Sequence, residues 1–91
     1  MSVTLGGVEF DHVDYDRDSD VLYLRVGDPR DAVDFDESPE GHHLRFGPGG
    51  RLVGLTIVNA RRLLEQEGKI AVTLRQELVD ARGLEDVLSP V

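Results

Sequence analysis

Residues 41–64 read GHHLRFGPGGRLVGLTIVNARRLL, and this stretch decides the fold. His42, Leu44 and Phe46 alternate on one side before a turn. Val53, Leu55 and Ile57 alternate after it, the period-two pattern of a half-buried strand. Between them, Gly47-Pro48-Gly49-Gly50 joins a residue that fixes φ to residues that tolerate positive φ, so the chain can reverse. Asn59 is placed to cap a short helix with Ala60, Leu63 and Leu64 on one side. The stretch explains how a small sheet folds and contains no chemistry.

Moving outward toward the N-terminus, Ser38-Pro39-Glu40-Gly41 turns into this hairpin from a weaker strand, residues 32–38. Its alternation places Val33 and Phe35 inward and Asp34 and Asp36 outward. Residues 21–26, VLYLRV, form the strongest strand pattern in the chain, with Leu22, Leu24 and Val26 on the core side. The polar run Asp16 to Asp20 makes a hairpin connection to a first strand beginning at Val8 and ending near Tyr15. Toward the C-terminus, Gly68 is suited to end the helix in the left-handed conformation. Ile70, Val72 and Leu74 alternate as a further strand, and Leu78, Ala81, Leu84, Val87 and Leu88 follow at helical spacing. Short connections between sequential strands predict an α+β fold: an antiparallel β-meander of five to six strands, a short helix packed on one face, and a short C-terminal helix. Ninety-one residues are expected to form one domain, since either half would be too small to bury its own core.

Composition narrows the function classes. The chain has no cysteine, hence no disulfide, thiolate ligand or cysteine nucleophile, which suits a cytoplasmic protein. Neither a signal peptide nor a membrane span is expected. The net charge of −8 is uneven: residues 9–40 carry −9 and residues 41–91 carry +1. Such a chain repels phosphate backbones, so direct nucleic-acid binding is not expected, whereas a basic protein partner would be attracted. The plainer reading is that the acids keep a small sheet soluble.

Two motifs carry a resemblance. Tyr15-Asp16 followed by Asp20-Val21-Leu22-Tyr23-Leu24 resembles a Y-D-x-x-x-D-x-L-Y-[I/L] opening. Gly50-Arg51-Leu52-Val53-Gly54-Leu55-Thr56-Ile57 with Ala60 resembles a G-x-[I/L]-V-G-[I/L]-x-I-x-x-A closing. In this order and spacing they resemble the YuzE-like family (DUF2283), small bacterial and archaeal domains of unknown function. The resemblance covers about residues 8–66 and leaves 67–91 as a C-terminal strand and helix. Many members have Glu where this chain has Thr56, so any role of that acid is missing here. The resemblance implies no activity, cofactor or catalytic residue. By association with toxin-like neighbours of some members, it suggests an antitoxin-like role.

Each candidate for chemistry has a structural alternative. Asp14, Asp16, Asp18 and Asp20 suggest a calcium loop, but Ser19 and Arg25 stand where an EF-hand begun at Asp14 needs Gly and Glu. A solvated turn accounts for them. His42 and His43 are neighbours in a strand, so they point to opposite faces and cannot chelate one ion. Tyr15 and Tyr23 are expected near one another across the first hairpin, and a general-acid Tyr beside Asp20 is conceivable. Their ordinary role is apolar area with a wet tip. No residue is assigned to catalysis, a cofactor or a metal. The leading expectation is a non-enzymatic protein–protein interaction module. The next is a self-associating structural domain, a homodimer pairing through residues after Gly68. The last is a metal-dependent hydrolase built on the Asp14–Asp20 cluster with a histidine.

Overall fold

The computed structural model describes residues 2–27, 32–74, 77–80 and 87–88. Its centre is a five-stranded antiparallel sheet of β3 (His12–Asp16), β4 (Val21–Arg25), β5 (Asp34–Glu37), β6 (His43–Phe46) and β7 (Leu52–Val58), in the order β3-β4-β7-β6-β5. Hairpins β1 (Val3–Leu5)/β2 (Val8–Phe10) and β8 (Ala71–Leu74)/β9 (Glu77–Asp80), with helix α1 (Ala60–Glu67), complete the described elements. This agrees with an α+β fold dominated by antiparallel strands, but the sheet is not the simple meander expected: β4 pairs with β7, and the chain crosses from β4 to β5 at the opposite edge. Among the described residues, no helix is long and apolar enough to cross a membrane.

Among the described residues, the sheet is covered on one side only. Leu22, Leu24, Leu44, Phe46, Leu55 and Ile57 line its inner face and are buried. Val3, Leu5 and Phe10 from the first hairpin, Ala60 from the helix, Ile70 and Val72 around β8, and Leu88 join them in one core. Leu63 and Leu64 pack against it half-buried. The central hairpin turns through Pro48–Gly50 with Gly49 and Gly50 at positive φ, as its sequence requires. Gly68, at φ 73, ends α1 by donating its N–H to the Leu64 carbonyl.

Several expectations are corrected. The first strand is not continuous: it breaks at Asp11 into β2 and β3, and β2 folds back on β1 through Gly6-Gly7, both at positive φ. Phe35 and Val33 are not core residues; they are 66% and 64% exposed. Register explains this, because Asp34 and Asp36 oppose Phe46 and Leu44 while Phe35 opposes Arg45 on the other face. The covering layer does not reach this edge, so all four β5 residues are exposed. Val53 leaves the alternation at a bulge: Arg45 opposes Gly54 and Phe46 opposes Leu52, skipping it. Residues 77–80 form a strand rather than helix, and the rest of the expected C-terminal helix, apart from Val87 and Leu88, lies outside the described residues.

Asn59 does not cap the helix through its side chain. It sits at φ 57 without a side-chain cap hydrogen bond. Asp20, from the turn before β4, takes the role. Its Oδ1 accepts the Arg61 N–H at 2.8 Å, its Oδ2 the Arg62 N–H at 3.1 Å, and its carbonyl the Ala60 N–H at 3.1 Å. Three otherwise orphaned donors of the first turn are thus satisfied by one distant residue.

Candidate binding face

Because Leu22 and Leu24 go inward, strand alternation sends Tyr23 and Arg25 to the uncovered side. Cross-strand register then builds two rows there. One runs His12, Arg25, Gly54, Arg45, Phe35 across β3, β4, β7, β6 and β5. The other runs Asp14, Tyr23, Thr56, His43, Glu37 in the same order. The first row carries two arginines and the second a carboxylate at each end. Tyr23 is 45% exposed in mid-strand, and the Arg45 guanidinium lies over the Phe35 ring, 5.9 Å from its centroid. The Arg25 guanidinium is anchored on the Gly27 carbonyl. At the centre, Gly54 lets the stem of Arg45 lie directly across it: a Cβ there would meet the Arg45 Cβ at 3.2 Å and its Cδ at 3.3 Å. The result is a shallow groove of about 370 Å³ lined by His12, Asp14, Tyr23, Arg25, Arg45 and Thr56, among others.

The aspartate cluster disperses. Asp14 stands on the uncovered face beside Tyr23. Asp16 accepts the Asp18 N–H at 3.1 Å and closes the turn. Asp20 reaches under the helix. Among the described residues, no three His, Cys, Asp or Glu side chains converge in a manner that could hold a metal ion. The arrangement needed by a hydrolase on this cluster is not formed.

Tyr15 and Tyr23 do not meet; Tyr15 opposes Leu22 on the inner side, whereas Tyr23 opposes Asp14 on the outer. The Tyr15 hydroxyl does find Asp20, donating to Oδ1 at 2.7 Å. Burial, and then this bond to a carboxylate, raise the Tyr15 pKa. Burial works against ionising Asp20, but the Tyr15 hydroxyl and the two helix amides together hold its pKa below the ordinary value. The Tyr15 hydroxyl thus holds the Asp20 carboxylate in its capping position.

The histidines diverge as strand geometry requires. His43 faces water, while His42 is only 1% exposed. His42 Nδ1 accepts the Val58 N–H at 3.2 Å, so the neutral ring carries its proton on Nε2, which has no hydrogen-bond partner among the described residues. Burial first, then the neighbouring His43, lower the His42 pKa against the pull of Glu40. A ring whose Nδ1 is an acceptor presents an N–H at its other end, not a lone pair for a metal.

Sequence reasoning missed two anchors. One is the Asp20 cap, forty residues before the amides it holds and therefore without a local signature. The other is Glu40, whose Oε1 accepts the Thr73 N–H at 2.9 Å and whose Oε2 accepts the Thr73 hydroxyl at 2.6 Å, tying β8 to the β5–β6 turn. Burial opposes ionisation of Glu40, yet the bonds from Thr73, Ser38 and its own amide hold its pKa at about 2.

A family model described as "Protein of unknown function (DUF2283)" matches residues 12–61. No curated protein and no solved structure matches the chain. The matched segment runs from the start of β3 to the first turn of α1. It contains the whole five-stranded sheet and both ends of the Asp20 cap, and leaves out the two flanking hairpins. With more than half of its residues inside the match, the chain belongs to the DUF2283 family.

Proposed function

We propose that the chain is a non-enzymatic protein-interaction module whose contact surface is the uncovered face of the five-stranded sheet. One observation carries the reading. Tyr23 and Phe35, large apolar side chains exposed among the described residues, share one face by register. Neither is needed to fill the core. The margins of the sheet favour a basic partner, because β3 and β5, both from the acidic part of the chain, occupy its two edges. Neutralising a toxin-like protein is the specific form that the family resemblance suggests, and the lack of cysteine suits work in a reducing cytoplasm.

Addition of a partner strand to the β5 edge is less favoured. The Phe35 N–H donates to Asp34 Oδ1 at 2.9 Å and the Glu37 N–H to Asp36 Oδ1 at 2.8 Å, so those donors are taken locally. The face, not the edge, is the open surface. The test is co-purification from the native host with tagged wild type and with a Tyr23→Asp/Phe35→Asp variant whose circular dichroism is unchanged. The reading predicts a basic protein held by the wild type, weakened by salt, and lost with the variant. The same protein held equally by both, or none held by either, contradicts it.

A further inference from the structure

The two rows on the uncovered face are complementary to each other, and that gives the face a definite occupant. We infer that it closes on the same face of a second copy of this chain, about a two-fold axis that runs across the strands between the rows. The inference rests on reading this face as an interaction surface and names what covers its centre.

The operation turns the arginine row of one copy onto the carboxylate row of the other. Arg25 then lies over the partner's Tyr23 with the partner's Asp14 one strand away. Arg45 lies one strand from the partner's Glu37. A guanidinium over a phenol ring and beside a carboxylate gains both cation–π and ionic attraction. Strands stay roughly aligned between the copies, as in sheet-on-sheet packing at about 10 Å. An isologous pairing satisfies every such contact twice.

The other surfaces open to a second copy fit less well. Pairing β5 with β5 would bring Asp34, Asp36 and Glu37 of each copy together, against like charge. Of the C-terminal residues whose side chains are described, Ile70, Val72 and Leu88 are buried in their own chain and Val87 packs against the same core.

Sedimentation equilibrium at micromolar concentration tests the pairing. The wild type should have twice the 10.1 kDa mass of one chain. Asp14→Arg and Arg25→Glu should each weaken the dimer at least about tenfold, and the double variant, with its charges exchanged, should recover most of the loss. Glu37→Arg and Arg45→Glu provide an independent second exchange that avoids the Arg25 anchor. A monomeric wild type, a dimer indifferent to the single changes in both sets, or double variants no better than the singles overturns the inference. A monomer that still holds its basic partner through Tyr23 and Phe35 removes the pairing and leaves the interaction reading standing. A charge-exchangeable dimer that holds no other protein supports the pairing and removes the basic-partner reading.

Discussion

The inner and outer faces of the five-stranded sheet are made by alternate residues of the same strands, yet they obey different rules. On β4, Leu22 and Leu24 are buried in the core shared with the first hairpin, the helix and the residues around β8, while Tyr23 between them faces water. The inner side must be aliphatic because covering it removes apolar area from water, the main gain that offsets chain entropy. The outer side has no such duty. Its Tyr23 and arginines are groups suited to contact with another surface.

The largest effect should come from the inner face. Leu24→Ala is expected to cost about 2–5 kcal/mol in a denaturant titration, because a buried side chain leaves a cavity. A loss below about 0.5 kcal/mol would mean the two faces have been exchanged. Next comes the link between sheet and helix. Asp20→Ala should cost about 1–3 kcal/mol, as two helix amides and the Tyr15 hydroxyl lose their acceptor. Asn59→Gly, at a left-handed position without a side-chain cap bond, should change little; a reversed ranking would return the cap to Asn59.

A smaller effect separates the β8 anchor from both faces. Glu40→Gln should cost about 0.5–1 kcal/mol once solvent screening is allowed for. Its carboxyl has a folded pKa of about 2 against an ordinary 4.5, so its contribution is complete above 4.5 and lost as pH falls toward 2. Asp20 acts in the same direction. His42 titrates higher: held neutral when folded, it contributes fully above its ordinary 6.5 and loses that contribution as pH falls through its lower folded value. Urea midpoints measured against pH should therefore fall in two stages, and Glu40→Gln should reduce the lower one only. The smallest effect belongs to the outer face, where Tyr23→Ala should alter monomer stability by no more than about 0.5 kcal/mol.

Much of this was legible in the sequence. VLYLRV assigned the core side of β4, strand geometry separated His42 from His43, and Gly68 marked the helix end. Gly6-Gly7 between apolar residues is a readable hairpin signal for β1 and β2. The orientation of β5 was not legible. Alternation in Val33-Asp34-Phe35-Asp36 shows that two sides differ, but which side is covered depends on how far the overlying layer extends. The rows of the binding face were hidden for a related reason, since they exist only once the strand order and the bulge at Val53 set the register. The Asp20 cap joins positions too far apart for any local pattern.

We propose that the molecule associates through the outer face of its sheet. Backbone amide spectra of the labelled protein, recorded over a dilution series, test this. Association there should give concentration-dependent shifts at Tyr23, Arg25, Gly54, Arg45 and their neighbours, with residues 70–74 unchanged. Spectra that do not change with concentration, or changes confined to residues after Gly68, would contradict it.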